Sequence, residues 1–297
     1  MTQFLDVRYQ DVGGGLAGLV NLYQGTSKLD YTGLNLSDLQ AAISGRDVLL
    51  GTHGFNVDRA DGIASLSNWE GLLQLPEPAV FAGTPAAFVG ILWPGDSAWA
   101  HGLDYPDEPK IADHAAKLLA PFIDANFQNA ASISFASHSL GARLVLSTIN
   151  LLNLPVRRLT LMAGAIDDNC LNKEFKAAAD KVGSISVLAS RKDTVLSKLF
   201  PIGNLVAGII DEGHPWWRAA IGHRGPIKLP PSNMVSPYLI PDTYLYNHGN
   251  YLPIDNTQPP ASLFPQPVIV PPQGTPPPTT DGWQAAFSAG FVLTRFK

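Results

Sequence analysis

The chain has 297 residues, of which 45% are hydrophobic and 15% charged, and its formal net charge is −5. A chain of this length can bury a sizeable core without disulfides or a structural metal, and its apolar content argues against disorder over most of its length. Its 20 Lys and Arg residues are scattered singly, so the sequence offers no basic surface for nucleic acid.

The beginning of the chain lacks the apolar run of a secretory signal, because Asp6 and Arg8 fall where that run would lie. Cys170 is the single cysteine and has no internal partner for a disulfide. The uncharged stretch 78–95 is interrupted by glycines and prolines, which a membrane-spanning helix tolerates badly. We therefore expect a cytoplasmic protein without stable membrane insertion, with secretion of a processed form as the alternative.

Short apolar runs alternate with helical patterns along the first 224 residues. Residues 4–9 and 18–23 flank a glycine-rich turn and predict an antiparallel hairpin at a sheet edge. The further predicted strands are 47–52, 87–93, 133–136, 159–162 and 185–189, and the predicted helices include 108–127 and 140–152. This alternation is typical of βαβ units and predicts an α/β fold, with a mostly parallel central sheet and helices on both faces.

Proline divides the chain into two parts, since 15 of its 25 prolines lie between residues 226 and 278. We expect residues 1–255 to form the α/β domain and residues 256–297 to form a Pro-rich extension whose aromatic residues dock on that domain. One strand, 242–246, is predicted within the proline-rich part.

The segment 133–142 combines an apolar strand, a turn of small residues and an amphipathic helix. This pattern indicates a nucleophile elbow at Ser139, because the strained turn requires small residues two positions before and two positions after the nucleophile. Ser137 and Gly141 occupy those positions, although the usual pattern has glycine at both. The alternative is that Ser137 or Ser139 only caps the helix.

A second turn, His53-Gly54-Phe55, follows the first predicted parallel strand. Gly54 permits a tight turn there, and the segment resembles the His-Gly-X turn of the α/β-hydrolase fold. This resemblance implies that the amide of Phe55 faces the amide of Leu140 and that the two supply donors for an oxyanion. We expect His53 to support the loop rather than transfer protons. Because a His-Gly pair is common, an ordinary loop is the alternative.

An acid and a base follow the nucleophile in chain order. Asp193 follows strand 185–189, and His248 follows strand 242–246. In this arrangement Ser139 would attack a carbonyl, His248 would accept and return the proton, and Asp193 would orient the imidazole.

Two competing assignments stay open. His223 lies in a glycine-containing loop and is the alternative base, although no clear strand precedes it. Asp167 and its neighbour Asp168 follow strand 159–162 and provide the alternative acid.

These motifs resemble those of the α/β-hydrolase fold, and within it bacterial serine esterases and lipases with a His-Gly-Phe turn, a Trp-Pro turn at Trp93, and a Ser-His-Ser-Leu-Gly elbow. The resemblance covers residues 45–255 and implies cleavage of a small-molecule or lipid ester through an acyl-enzyme, without cofactor or metal. Thioester or amide hydrolysis and acyl transfer could use the same residues, and a non-catalytic binding protein is the other alternative.

The insertion 194–240 between the candidate acid and base is a candidate lid. It contains apolar pairs, including Trp216 and Trp217, which we expect to contact substrate together with Trp93. An ordinary helix packed on the sheet is the alternative. The sequence has no His-Glu-x-x-His, paired cysteines or calcium loop, so no metal site is predicted.

Overall fold

The computed structural model describes residues 1–11, 15–72, 86–95, 108–198, 200, 219–227, 230–235, 239–240, 242 and 246–252. Within these ranges, nine strands form one sheet in the order β3-β2-β1-β5-β4-β6-β7-β8-β9. The strands are β1 Thr2–Arg8, β2 Leu16–Gly25, β3 Thr32–Gly33, β4 Asp47–Thr52, β5 Ala86–Leu92, β6 Ser132–His138, β7 Val156–Met162, β8 Val182–Leu188 and β9 Met234–Val235.

Helices cover both faces of this sheet, as in other α/β folds. They are α1 Leu36–Ile43, α2 Arg59–Leu72, α3 Glu108–Asn126, α4 Gly141–Leu151, α5 Lys176–Asp180 and α6 Ile221–Arg224. A further helical stretch begins at Thr194, and short 3-10 turns span Cys170–Asn172 and His248–Asn250. None of the helices in these ranges combines the length and apolarity needed to cross a bilayer.

Every strand pair from β1–β5 to β8–β9 is parallel. Among the described strands, the antiparallel pairs are β1–β2 and β2–β3. Strand β4 lies between β5 and β6, with Thr52 opposite both Ile91 and Ser137. The carboxyl ends of these three strands are therefore level. In open parallel sheets this edge is where ligands bind, because the loops that follow the strands converge there.

The central strands are apolar on both sides because helices cover both faces. All six residues of β4 are buried, and Leu49 and Leu50 are fully inaccessible to solvent. On helix α4, Leu144, Val145 and Ile149 form the buried stripe that packs on the sheet. Burying each such side chain contributes about 1.5–3 kcal/mol, which fixes the frame that carries the loops.

The predicted α/β architecture with a mostly parallel central sheet is confirmed, and all five predicted parallel strands and both predicted helices are present. The predicted hairpin at the sheet edge is also present: β1 pairs antiparallel with β2 and connects the hairpin to the rest of the sheet by pairing in parallel with β5. The last strand, β9, was not anticipated from the sequence.

Several predictions fall outside the described residues. They concern Trp216, Trp217, most of the strand 242–246, much of the lid candidate 194–240, and the extension 256–297. The division into residues 1–255 and 256–297 stays a prediction.

Candidate active site

Three side chains from distant parts of the chain meet at the carboxyl edge of the sheet. The Nε2 atom of His248 lies 2.9 Å from the Oγ atom of Ser139, 109 residues earlier in the chain. The Nδ1 atom of His248 lies 2.7 Å from Oδ2 of Asp193. The structure thus brings together the three residues that the sequence indicated for nucleophile, base and acid.

The surroundings of Asp193 determine which nitrogen of the imidazole carries the proton. Asp193 is fully buried, and its Oδ1 atom accepts a 2.8 Å hydrogen bond from the amide of Leu196. A carboxylate oxygen only accepts, so Nδ1–H of His248 donates to Oδ2. Nε2 is left as an acceptor for the Ser139 hydroxyl, which is the orientation that a general base requires.

The backbone at Ser139 is strained, as an elbow requires. Its φ is 53°, in the left-handed region that residues with a side chain rarely adopt. Its amide donates to the carbonyl of Met162 at 2.9 Å, and its own carbonyl accepts from the amide of Ala165 at 3.0 Å. These bonds to the end of β7 and to the turn after it hold the strained conformation in place.

Two glycines allow the elbow and the His53-Gly54-Phe55 turn to touch. A Cβ atom at Gly141 would overlap the carbonyl oxygen of His53, and one at Gly54 would lie 2.7 Å from Cβ of Ser139. No larger residue fits at either place without displacing backbone. The close approach sets the turn that carries the Phe55 amide against the start of α4, which follows Leu140.

Trp93 supports the His53-Gly54-Phe55 turn through contacts with His53. Its indole Nε1–H donates to the carbonyl of His53 at 3.2 Å, and its amide lies 3.4 Å from His53 Nε2. The guanidinium of Arg8, itself buried, donates to the carbonyl of Trp93 at 2.8 Å and to that of Val57 at 3.0 Å. The first strand is thereby tied to both loops beside the nucleophile.

His53 has the supporting role that the sequence predicts. Its Nδ1 atom lies 2.9 Å from the carbonyl oxygen of Gly54 and donates to it, so Nε2 is free to accept from the amide of Trp93. Desolvation by burial lowers the pKa of His53 to about 3. The side chain is therefore neutral at physiological pH and fixes one tautomer.

The loop that carries His248 is held by polar residues that sequence reasoning missed. Asn247 accepts hydrogen bonds through Oδ1 from the amides of His248 and Thr194, at 2.9 and 3.0 Å, and so links the base loop to the acid loop. Asn250 closes the 3-10 turn by accepting from the amide of Asn247 at 2.6 Å. The sequence feature that could have identified these residues is the short polar run 247–250, because Asn is a preferred cap at the start of a helical turn.

His138, the residue before the nucleophile, also holds this loop. Its Nε2–H donates to the carbonyl of His248 at 2.8 Å, and the two rings lie 4.8 Å apart. Desolvation, followed by the proximity of His248, lowers the pKa of His138 to about 3. A neutral ring here avoids placing a second positive charge beside the base.

The competing residues lie elsewhere. His223 is on α6, where its Nδ1 atom lies 3.2 Å from the carbonyl of Ser190. Asp167 pairs through its backbone with Ala220, whereas Asp193 is the carboxylate that contacts His248. Trp93, which we expected to contact substrate, is fully buried beneath the turn, so its position suits support of that turn instead.

Three solved structures show distant similarity in overall geometry. A predicted CIB-like hydrolase from Thermoplasma acidophilum is 17% identical over 70% of this chain and 80% of its own, with a TM-score of 0.35. Esterase B from Lactobacillus rhamnosis is 11% identical over 56% of this chain and 63% of its own, with a TM-score of 0.28. The thermophilic esterase Est2 from Thermogutta terrifontis is 11% identical over 56% and 69%, respectively, also with a TM-score of 0.28.

No curated protein matches this chain. A family model described as alpha/beta hydrolase of unknown function (DUF900) matches residues 35–207, which include the His53-Gly54-Phe55 turn, Ser139 and Asp193. This match spans more than half of the chain, and the chain therefore belongs to the DUF900 family of α/β-hydrolases.

Proposed function

We propose that this protein hydrolyses carboxylic esters through an acyl-enzyme formed on Ser139. The observation that carries the proposal is the continuous contact from the Ser139 hydroxyl through His248 to the buried carboxylate of Asp193. A serine hydroxyl is a weak nucleophile unless a neighbouring base takes its proton. Membership of an α/β-hydrolase family supports hydrolysis, while the ester substrate is our inference.

In the first half of the reaction, Oγ of Ser139 attacks the ester carbonyl carbon while Nε2 of His248 takes its proton. The carbonyl oxygen becomes an oxyanion, which we place between the amides of Phe55 and Leu140. The tetrahedral intermediate then breaks its bond to the alcohol oxygen, and His248 returns the proton to that oxygen. Asp193 stabilises the imidazolium throughout.

In the second half, water replaces the alcohol. His248 takes a proton from the water as the water oxygen attacks the acyl carbon. The second tetrahedral intermediate then breaks its bond to Oγ of Ser139, and His248 returns the proton to that oxygen. The carboxylic acid leaves and the protein returns to its starting state. The close packing of Gly54 and Gly141 against the neighbouring turn supports a preformed pair of donors, and one such donor is worth about 10²–10³-fold in rate.

The test is covalent labelling with a fluorophosphonate followed by intact-protein mass measurement. The reagent reports an activated serine without requiring knowledge of the substrate. We expect one adduct on the wild type, none on Ser139→Ala, and much slower labelling of His248→Ala. A panel of p-nitrophenyl esters, thioesters and anilides then assigns the bond that is cleaved.

Matched variants make the labelling result specific. Ser147→Ala, which removes a hydroxyl from the neighbouring helix α4, should label like the wild type. If His248→Ala labels like the wild type and His223→Ala does not label, the general base is His223 on α6 and not His248. Failure of the wild type to label would contradict the proposal and favour a binding protein.

A further inference from the structure

A small cavity of about 210 Å³ lies beside the candidate triad, between α2 and the His248 loop. Its lining is mainly apolar. Gly54 and His138 belong to it, and both are close to the nucleophile: a Cβ at Gly54 would lie 2.7 Å from Cβ of Ser139, and His138 precedes that residue. Two lining residues of the cavity, Gly54 and His138, are therefore neighbours of Ser139, the first in space and the second in the chain.

The two walls come from opposite sides of the site. Val57, Asp61 and Ser65 form the wall contributed by the start of α2 and the loop before it. Gly249 and Leu252 form the other wall, and they follow His248 by one and four positions in the chain. The cavity thus borders the loop that carries the proton-transferring side chain.

The chemistry of the proposed reaction says which part of an ester would lie there. His248 must protonate the alcohol oxygen as it leaves, so this oxygen has to be within hydrogen-bond distance of Nε2. The substituent on that oxygen then extends along the His248 loop. A cavity that shares a wall with this loop is in the right place for that substituent.

Among the described lining residues of the cavity, Asp61 is the one that carries a charge at neutral pH. Asp61 is exposed and forms no ion pair with a described residue. The other titratable residues of the lining are His53 and His138, and both have a pKa lowered to about 3, first of all by desolvation. At neutral pH the described residues of the lining therefore carry one negative charge and no positive one.

We propose that this cavity binds the alcohol part of the ester, and that Asp61 makes it favour esters of compact neutral or cationic alcohols over esters of anionic ones. The inference rests on the proposed function and deepens it. The apolar lining stabilises the alcohol's carbon atoms, and the carboxylate repels a second negative charge.

The size of the alcohol is tested with butyrate esters of ethanol and benzyl alcohol. Both give the same acyl-enzyme, so the alcohol affects only the acylation step and hence kcat/KM. Ser65→Leu fills the cavity and should lower kcat/KM for the benzyl ester relative to the ethyl ester by about tenfold or more. Leu252→Ala widens it and should shift the ratio the other way.

A control on the same helix separates cavity filling from general damage. Ala64→Leu adds the same side chain at the neighbouring position, which points about 100° away around the helix and does not line the cavity. It should leave the benzyl-to-ethyl ratio unchanged. The ethyl esters of acetate and hexanoate, which differ only in the acyl part, should keep their wild-type ratio in Ser65→Leu.

The charge preference is tested with butyrylcholine and the carboxymethyl ester of butyrate at low salt and pH 8. Asp61→Asn should reduce the choline-to-carboxymethyl ratio of kcat/KM by about tenfold, because it removes both the attraction of the cationic alcohol and the repulsion of the anionic one. Asp58→Asn removes a carboxylate one turn away, outside the lining, and should have a smaller effect.

The outcomes are distinct. A Ser65→Leu variant that discriminates between acyl groups and not between alcohols would assign the cavity to the acyl part and overturn the proposal. Unchanged alcohol ratios in Ser65→Leu, Leu252→Ala and Asp61→Asn would overturn it as well. A wild type that cleaves none of these esters and forms no fluorophosphonate adduct would instead refute the proposed function itself.

Discussion

Arg8 donates a hydrogen bond of 2.8 Å to the carbonyl oxygen of Trp93, although the two residues are 85 positions apart in the chain. Trp93 in turn donates to the carbonyl of His53, at the start of the turn that carries the Phe55 amide. The guanidinium is buried and also donates to the carbonyls of Val57 and Asp11, at 3.0 and 3.1 Å. One side chain from the first strand therefore supports the geometry of the candidate oxyanion site.

Replacing Arg8 should reduce turnover as well as stability. Arg8→Met leaves several carbonyls without donors, at about 1–3 kcal/mol for each that stays buried. It also releases the turn above Trp93, so we expect kcat to fall about tenfold or more, as for partial loss of an oxyanion donor. Arg8→Lys should recover little, since an ammonium lacks the guanidinium's fork of donors. Urea unfolding and kcat on one ester give both quantities.

The control for Arg8 is Tyr31→Phe. It removes a 2.8 Å hydrogen bond to Asp6 on the same strand without touching Trp93. We expect lower stability with an unchanged kcat. If folded Arg8→Met has the wild-type kcat, the support of the turn by Arg8 has no catalytic consequence.

Gly141→Ala should inactivate the site more than it unfolds the protein. The added Cβ would overlap the carbonyl oxygen of His53 and press the two turns apart. We expect kcat/KM to fall at least 10²-fold, about the worth of one oxyanion-hole donor. Gly71→Ala is the matched control, because nothing lies within 4 Å of its Cβ position on α2. It should keep full activity and gain up to about 1 kcal/mol in stability.

Ser137→Ala should stabilise the fold without loss of activity. Ser137 is fully buried, and its hydroxyl has no hydrogen-bond partner within the described part of the chain. Removing an unsatisfied polar atom should raise the free energy of unfolding by about 1 kcal/mol. Ser137→Gly restores the usual elbow pattern but should be less stable than Ser137→Ala by about 0.5–1 kcal/mol, because glycine loses more conformational entropy in a strand. Urea denaturation of the three proteins decides the order.

Stability should decrease as the pH falls below 6.5. His53 and His138 have folded-state pKa values of about 3, below the ordinary 6.5, so the unfolded chain binds more protons between these values. The free energy of unfolding then rises with pH across this window, by up to about 1.4 kcal/mol per pH unit for each histidine. Urea unfolding at pH 7, 6 and 5 measures the slope.

His138→Gln tests the origin of this slope. It removes one of the two contributions and should flatten the dependence by about half. The exposed His114, on α3, provides the comparison, and His114→Gln should keep the wild-type slope. Equal slopes in all three proteins would show that the acid sensitivity has another source.

The parallel part of the fold was predictable because its strands are covered on both faces. Such strands appear in sequence as short continuous apolar runs, and 47–52 coincides with β4 at both ends. Strand β9 has two residues and lies among prolines, where hydrophobic periodicity carries no signal. The pairing of β1 with β5 could not be predicted from the sequence either, because it depends on contacts between distant parts of the chain.

In the candidate site, too, the residues with a local sequence pattern were predictable and those that depend on distant contacts were not. Ser139, Asp193 and His248 each follow a short apolar run, so chain order alone suggested that they meet at one edge of the sheet. The supports around them could not be read in this way. Arg8 and Asn247 act through hydrogen bonds to loop groups that lie 85 and 53 residues away in the chain. The residues next to Arg8 and Asn247 in the sequence do not indicate these distant partners.

The position of β1 also bears on where this protein can be cut. The family match begins at residue 35, after β1, β2 and β3. In the sheet, however, β1 lies between β2 and β5, and its pairing covers residues 3–6 against 89–92. A fragment that starts at residue 35 would leave β5 as a bare apolar edge strand, open to pairing with other copies and hence to aggregation. The boundary of sequence similarity is therefore not a boundary for independent folding.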